Sequence, residues 1–310
     1  MKRPDDTSPT APAGSGSGSP LAGRVAVVTG AARGLGAALA AELSQRGATV
    51  ALLGLNGRAL ERVSRSLPGP SGCWEADVTD DGAMDRAAAG VREELGTPSV
   101  LVANAGVAEG GPFADSDPAT WRRVVEVNLT GSATSARAFL PDLLATRGYL
   151  LQIASLAAMG TSPMMSAYCA SKAGVEAFAH ALQAELAHRH VGVGIAYLNW
   201  IDTDMVRDAD RHTVLRELRT HMPRPARKVY PPRTVAARLV RAVERRSPAV
   251  YVPGWLRAVQ PVRAALPPLV TRLSRTEVPR IAAHHPFRPT GLLGAGGRDA
   301  VTRDGPERAR

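Results

Sequence analysis

The stretch that decides the fold is RVAVVTGAARGLG, residues Arg24–Gly36. A short β-branched run ends at Gly30 and leads through Gly34 and Gly36 into GLGAALAAELSQRG, which predicts a helix ending at Gly47. Glycines between a strand and a helix permit a tight turn and let the backbone approach a phosphate at the helix N-terminus. The stretch therefore predicts the first half of a βαβ unit with an anion-binding turn.

The rest of the chain repeats this alternation of apolar runs and helical segments. Further strands are predicted at 48–54, 73–78, 99–106, 149–154, 191–198 and 249–253, and helices at 56–67, 82–96, 118–144, 166–188 and 232–245. Continuous apolar strands joined by helices favour a parallel sheet that is covered on both faces. We expect an α/β fold, a single doubly wound Rossmann-fold domain with about seven strands.

Composition divides the chain into three regions. Residues 1–20 are rich in Gly, Ser, Pro and Ala, and we expect them to be disordered. Residues 21–253 form the Rossmann-type domain. Residues 254–310 form a basic, Pro- and Arg-rich extension that we expect to be partly disordered, with little order after about residue 280.

Charge and cysteine content exclude several classes of protein. The 310 residues include only two cysteines, which excludes a disulfide scaffold and favours a reducing, cytoplasmic setting. The N-terminus lacks the apolar stretch of a secretory signal. Much of the net charge of +10 lies in the extension, with ten arginines against four acids. We interpret it as a solvated tail, with an anionic membrane surface as the alternative, and we expect no nucleic-acid partner.

Residues that carry proton chemistry follow the glycine turn. Tyr168 and Lys172 are spaced i and i+4 and share a helix face. A nearby ammonium is expected to lower the pKa of the phenol, which can then exchange a proton with an alcohol or a carbonyl oxygen. Ser155 ends a predicted strand and can orient that oxygen, and Asn128 lies on the preceding helix.

TGxxxGxG at 29–36, NAG at 104–106 and YxxxK at 168–172 resemble the short-chain dehydrogenase/reductase family over about residues 21–253. The resemblance implies an oxidoreductase that transfers a hydride between nicotinamide and an alcohol or carbonyl carbon. A catalytically idle cofactor-sensing or scaffold protein is the alternative. The family also implies a homodimer or homotetramer.

The resemblance assigns roles to the candidate catalytic residues. Tyr168 would be the acid/base, and Lys172 would also bind the nicotinamide ribose. Ser155 would hold the substrate oxygen, and Asn128 would anchor a water in a proton relay. The cofactor contacts implied by the family are Gly30, Ala32, Arg33, Gly34, Leu35, Gly36, Asp77, Val78, Asn104, Ala105, Gly106, Tyr168, Lys172, Ile201 and Thr203.

One position departs from the family pattern. Leu198–Asn199 stands where the family usually has Pro-Gly, and we expect Asn199 to tolerate a left-handed backbone there.

The cofactor choice depends on the end of the second strand. The position that carries an acid in NAD-binding relatives is Gly54, without an acid at Leu55 or Asn56. Arg33 resembles a basic position of NADP-binding relatives and can pair with a 2′-phosphate. NADP(H) is therefore favoured over NAD(H); the alternative is that Arg33 points to solvent.

The substrate is the least constrained part of the prediction. Met159, Met164, Met165 and Met205 flank the candidate catalytic residues, which suits an adaptable pocket for a hydrophobic alcohol or carbonyl compound. The alternative is that they are ordinary core residues. We expect residues 202–231 to form a substrate loop and lid. No metal site is expected, because neither histidines nor cysteines have ligand spacing.

Overall fold

A seven-stranded, all-parallel sheet forms the centre of the protein in a computed structural model that describes residues 18–304. The strands are β1 (Val25–Thr29), β2 (Thr49–Gly54), β3 (Ser71–Glu75), β4 (Pro98–Ala103), β5 (Tyr149–Ile153), β6 (Gly192–Leu198) and β7 (Ala249–Val252). Their order is β3-β2-β1-β4-β5-β6-β7. This confirms the predicted doubly wound fold, and the order reverses between β1 and β4, where such sheets bind ligands.

Helices connect the strands and cover both faces of the sheet. They are α1 (Gly34–Gln45), α2 (Gly57–Arg65), α3 (Asp81–Leu95), α4 (Pro118–Val125), α5 (Gly131–Thr146), α6 (Leu156–Met159), α7 (Ser166–Leu186), α8 (Asp204–Arg211), α9 (Thr213–Thr220), α10 (Arg224–Arg227), α11 (Pro232–Glu244), α12 (Leu256–Val259), α13 (Leu266–His284) and α14 (Gly294–Asp304). Each long connection between parallel strands contains a helix, as a parallel sheet requires.

Two apolar cores lie on opposite faces of the sheet. Helices α1, α2 and α11 bury Leu39, Leu60 and Leu239 against one face. Helices α3, α5 and α7 bury residues such as Phe139 and Val175 against the other. The central strands β1 and β4 are buried along their whole length, which explains why their sequences lack polar alternation.

The predicted helix at 118–144 is interrupted. A π-helical turn at Glu126–Thr130 separates α4 from α5 and carries Asn128. A π-turn adds a residue to the helical repeat and often occurs at functional sites. Periodicity alone could not reveal it, because the apolar pattern continues on both sides.

The C-terminal extension is more ordered than expected. Helix α13 runs to His284, and α14 follows at Gly294–Asp304, so the expectation of little order after about residue 280 is wrong. The cause is apolar burial, because Ile281, Leu293 and Ala300 are each at most 3% exposed. Residues 1–17, to which most of the predicted N-terminal disorder applies, and residues 305–310 lie outside the described residues.

Within residues 18–304, the helices are all too short or too polar to cross a lipid bilayer.

Candidate active site

The glycine turn joins β1 to α1 as the sequence predicts. Gly30 has a φ of +64°, and a Cβ there would lie 2.9 Å from the Cα of Ala105. A Cβ at Gly36 would collide with the carbonyl oxygen of Gly30 and lie 2.8 Å from Nδ2 of Asn104. These two positions therefore accept only glycine, because the turn is left-handed at one and closely packed at the other.

A polar network fixes the turn against the end of β4. The Thr29 hydroxyl accepts hydrogen bonds from the backbone N–H groups of Asn104 and Ala105, both at 3.0 Å. The Asn104 side chain in turn donates to the carbonyl oxygen of Thr29 at 2.9 Å. Neighbouring strand ends are thereby held at one edge of the sheet, where a groove opens.

This groove is lined by most of the residues predicted to contact the cofactor. Those that line it are Gly30, Ala32, Arg33, Gly34, Leu35, Gly36, Asp77, Val78, Asn104, Ala105, Gly106 and Thr203. Three predicted contacts lie apart from the groove lining: Tyr168, Lys172 and Ile201, of which Ile201 forms a bridge with Tyr230. Gly54, Leu55 and Asn56 also border the groove, without a carboxylate among them.

Asp77 faces the groove with its carboxylate already engaged. It accepts a 2.7 Å ion pair from Arg123 and hydrogen bonds from the Thr79 hydroxyl and backbone N–H. Although burial raises the pKa of Asp77, these hydrogen bonds and the Arg123 charge outweigh it and hold the pKa below its ordinary value. Asp77 is thus fixed in position as an anion.

Asn128 lies fully buried in the π-helical turn. Its side chain accepts from the N–H of Val107 at 2.8 Å and donates to the carbonyl of Val107 and the hydroxyl of Ser171, each at 2.9 Å. This pairing ties the turn to the chain after β4 and to α7. The Asn128 side chain therefore holds together the elements that surround Tyr168.

Ser155 and Tyr168 meet beyond the end of β5. Ser155 caps α6 by accepting from the N–H of Ala157 at 3.2 Å, and its side chain lies near the Tyr168 hydroxyl. Burial raises the pKa of Tyr168 above its ordinary value, although the nearby Ser155 hydroxyl opposes this. Desolvation of the phenolate is the largest influence on this pKa in the protein alone, and the lowering expected from Lys172 stays a prediction.

Lys172 lies one turn along α7 from Tyr168. Its Nζ donates to the carbonyl oxygen of Ile153 at 2.9 Å and lies 5.8 Å from the centre of the Tyr168 ring. Burial lowers the pKa of Lys172 to about 8. A Cβ on Gly106, which lines the groove, would lie 3.6 Å from this Nζ, so the lysine stands where the groove meets the tyrosine.

Asn199 holds its loop by a different means from the one expected. It is not among the residues with a positive φ, so the expected left-handed conformation is wrong. Its backbone N–H donates to Val252 at 3.0 Å, and its side chain donates to the carbonyl of Ala226 at 2.9 Å. The amide thus ties the end of β6 to α10, within the segment predicted to form the substrate loop.

The C-terminal segment 289–304, here called the C-terminal strap, reaches back to the groove. It crosses the chain after β4, where the N–H of Leu293 donates to Ala108 and that of Thr290 donates to Gly110, both at 2.8 Å. Leu293 packs in a small apolar cluster with Met165 and against Tyr168. The strap then lines the cofactor groove with Leu293, Gly294, Ala295, Gly296, Gly297, Asp299 and Ala300.

Asp299 of the strap forms a 2.7 Å ion pair with Arg33 of the glycine turn. The sequence prediction did not include any strap residue. Its one signal is the motif GLLGAGG at 291–297, an apolar and glycine-rich break in a polar tail. Without the fold, nothing in that motif indicates which groove it covers.

Comparisons with known proteins identify the family of this chain. The family model for the short chain dehydrogenases matches residues 24–213. An uncharacterized oxidoreductase of Staphylococcus epidermidis is 32% identical over 188 residues, which cover 60% of this chain and 82% of the relative. Cis-4-hydroxycyclohexanecarboxylate dehydrogenase of Sinomonas cyclohexanicum is 38% identical over 198 residues, which cover 61% and 78%.

One solved structure is also similar to this chain in fold and sequence. A metagenomic short-chain oxidoreductase in complex with NADP superposes with a TM-score of 0.55 at 36% identity, covering 57% of this chain and 82% of that one. The chain belongs to the short-chain dehydrogenase/reductase family. It is an oxidoreductase of the class that acts on CH–OH or C=O groups with a nicotinamide dinucleotide.

The groove fits such a dinucleotide. A Cβ at Gly34, where φ is +55°, would point across the groove to within 3.2 Å of Thr203, so glycine leaves space between the turn and this residue. The first turn of α1 presents free backbone N–H groups to the same space, which suits a pyrophosphate. Arg33, Asn104 and Thr203 then border the remainder of the molecule.

Proposed function

We propose that this protein is an NADP(H)-dependent oxidoreductase of a hydrophobic alcohol or carbonyl compound, with Tyr168 as the acid/base. The observation that carries the proposal is geometric: Lys172 Nζ lies 5.8 Å from the centre of the Tyr168 ring and would lie 3.6 Å from a Cβ on Gly106, which lines the dinucleotide groove. Ser155 lies near the hydroxyl of the same tyrosine. The nicotinamide supplies or accepts the hydride when it is bound.

The proton side of the reaction follows from the environment of Tyr168. Burial raises its pKa, so the hydroxyl is protonated at neutral pH and suits the acid of a carbonyl reduction. Ser155 donates to the substrate oxygen and stabilises the charge that develops there. In the oxidative direction Tyr168 must first lose its proton, and the Lys172 ammonium favours that phenolate.

Asn128 and Lys172 contribute as positioning groups in this proposal. Asn128 joins the π-helical turn to α7 through a hydrogen bond to Ser171. This bond fixes the position of the helix that carries Tyr168. Lys172 reaches both the end of β5 and the side of the groove near Gly106. Its ammonium is in place to bind ribose hydroxyls, a contact for which lysine offers three donors.

The preference for NADP(H) rests on charge at the adenosine end of the groove. Gly54 offers no carboxylate to hold ribose hydroxyls or to repel a phosphate, and Arg33 brings a guanidinium to the same region. A guanidinium pairs strongly with a phosphate dianion. The NADP in the related metagenomic structure supports this assignment.

The substrate pocket is proposed to be apolar. Ala108, Met165 and Leu293 form a small cluster, against which Tyr168 and Met205 pack. Two of the four predicted methionines therefore belong to or pack against the cluster that Tyr168 also contacts, whereas Met159 belongs to the main core. The similar dehydrogenase from Sinomonas is named for a hydroxylated cyclohexane ring, which supports an alicyclic secondary alcohol or ketone as the first class to test.

The direct test is turnover of a panel of cyclic and steroid-like ketones with NADPH, and of the matching alcohols with NADP⁺. We expect reduction by the wild type and by a Tyr251→Phe control on β7, and loss of turnover in Tyr168→Phe with NADPH still bound. Equal rates in Tyr168→Phe would contradict the acid/base assignment. Binding of NADPH without turnover of any compound would favour the alternative of an idle cofactor-sensing protein.

We also propose a homodimer or homotetramer, as the family resemblance implies. Val262, Leu269 and Leu273 of the extension are more than half exposed, which leaves apolar surface for a second copy to cover. Light scattering coupled to size exclusion should give a mass of two or four chains, and a clean monomer would contradict this.

A further inference from the structure

The ion pair between Arg33 and Asp299 joins two parts of the chain that lie more than 260 residues apart. Arg33 belongs to the glycine turn, whereas Asp299 lies in α14, beyond the residues 24–213 that the family model matches. Both side chains border the dinucleotide groove, and each is just over a quarter exposed. A solvent-accessible ion pair of this kind can exchange partners.

We propose that Asp299 is a specificity-determining residue that Arg33 exchanges for the 2′-phosphate of the dinucleotide. The inference rests on the proposed preference for NADP(H). In the protein without dinucleotide, the Asp299 carboxylate neutralises Arg33 and holds the C-terminal strap over the groove. The 2′-phosphate takes its place on the guanidinium, and the strap loses its contact with the glycine turn.

The exchange follows from charge. A phosphate monoester carries close to two negative charges at neutral pH and binds a guanidinium with two parallel hydrogen bonds. A carboxylate left within a few ångström of that phosphate is repelled, because two like charges at this distance interact unfavourably even near the protein surface. NAD(H) brings only neutral hydroxyls to this position and therefore leaves the pair intact.

Helix α14 has a second anchor besides the Arg33 pair. Asp208 of α8 accepts a 2.9 Å hydrogen bond from the N–H of Gly294 and a 3.1 Å ion pair from Arg298. Leu293 is also held, by its bond to Ala108 and by its apolar contacts beside Tyr168. Loss of the Arg33 pair therefore removes the link between α14 and the glycine turn, while α14 stays anchored to α8 and the substrate wall formed by Leu293 stays in place.

The experiment measures dissociation constants for NADPH, NADH, adenosine 2′,5′-bisphosphate and 5′-AMP. The variants are Asp299→Asn and, as a charge-matched control, Asp85→Asn on the exposed face of α3. We expect Asp299→Asn to tighten NADPH and the bisphosphate by about fivefold, the effect of removing one surface ion pair that competes for Arg33. NADH and 5′-AMP should bind as in the wild type, and Asp85→Asn should change nothing.

Two outcomes overturn the inference, and they can be told apart. If the wild type prefers NADPH but Asp299→Asn leaves the NADPH to NADH ratio unchanged or lowers it, Asp299 does not compete for Arg33. If the wild type prefers NADH, the proposed cofactor fails first and the inference falls with it.

A second measurement follows the strap itself. Amide hydrogen exchange of residues 299–301, at and after the carboxylate that loses its partner, should become faster with saturating NADPH and stay unchanged with saturating NADH. Equal protection of the strap by both dinucleotides would show that it closes on the adenosine ribose without regard to the 2′-phosphate, contrary to the proposal.

Discussion

Lys172 places its Nζ atom 5.8 Å from the centre of the Tyr168 ring while donating a hydrogen bond to Ile153. The lysine is therefore near enough to influence the phenol, but its direct partner is the end of β5. Burial dominates both groups in the protein alone, since it raises the pKa of Tyr168 and lowers that of Lys172. The pair is thus adapted to hold a proton on the tyrosine at neutral pH.

The depressed pKa of Lys172 predicts a pH-dependent contribution to stability. The group titrates at about 8 in the folded protein against an ordinary value of 10.5. Between these pH values the unfolded chain binds more protons, so this contribution to the free energy of unfolding rises with pH. Below pH 8 both states bind the proton, and the contribution is constant.

The measurement is urea unfolding of the wild type and Lys172→Met at pH 8 and pH 10. We expect the wild type to gain roughly 2 kcal/mol relative to the variant over this interval, from about 1.4 kcal/mol per pKa unit. The buried tyrosines are common to both proteins, so their titration cancels in the difference. Parallel pH curves would contradict a depressed lysine pKa.

Gly36→Ala should damage the glycine turn. The added Cβ would collide with the Gly30 carbonyl and press on the Asn104 side chain, and overpacking of this kind costs about 1–3 kcal/mol. Gly254→Ala is the matched control, because a Cβ there meets nothing within 4 Å. Gly36→Ala alone should lower the thermal unfolding temperature and weaken NADPH binding. If Gly36→Ala matches the wild type in both, the turn can accommodate a Cβ at this position and the prediction is contradicted.

Gly54→Asp should reverse the cofactor preference. A Cβ at Gly54 makes only ordinary contacts, at 3.5 Å or more, so the new side chain fits. Its carboxylate would repel a 2′-phosphate and accept hydrogen bonds from ribose hydroxyls, which should weaken NADPH by about tenfold or more. Gly54→Asn has the same size without the charge and should show no such loss, and similar titrations of both variants would contradict the assignment of this position.

Ser155→Ala should slow turnover without weakening the dinucleotide. Removal of one donor to a developing oxyanion costs about 10²–10³-fold in kcat. Tyr168 also loses the nearby Ser155 hydroxyl that lowers its pKa, so that pKa should rise further. Steady-state kinetics with a ketone that the wild type reduces should show the loss in kcat, and an unchanged kcat would remove Ser155 from the catalytic machinery.

The features that could be predicted from the sequence are those that depend on residues close together in the chain. Continuous apolar runs indicated every strand, and the glycines after β1 indicated the groove, because buried parallel strands and tight turns leave direct marks on residue choice. The spacing of Tyr168 and Lys172 placed them on one helix face. These features depend on neighbours a few residues apart.

Features that depend on distant partners could not be predicted in this way. The ion pair of Arg33 with Asp299 forms only because the C-terminal extension returns to the edge of the sheet. The residues next to Arg33 and Asp299 in the sequence do not indicate that the extension does so. Tertiary packing also determines the ion pair between Asp77 and Arg123 and the burial that raises the pKa of Tyr168. Asn199 was expected to supply backbone freedom, whereas it supplies a side-chain hydrogen bond.

The measurement that tests the central claim most directly is a fluorescence titration of the purified wild-type protein with NADPH and, separately, with NADH. We predict saturable binding of both, with NADPH tighter because the Arg33 guanidinium can pair with the 2′-phosphate and Gly54 carries no acid to repel it. Tighter binding of NADH would contradict the proposed cofactor, and binding of neither would contradict the dinucleotide groove on which the proposed function depends.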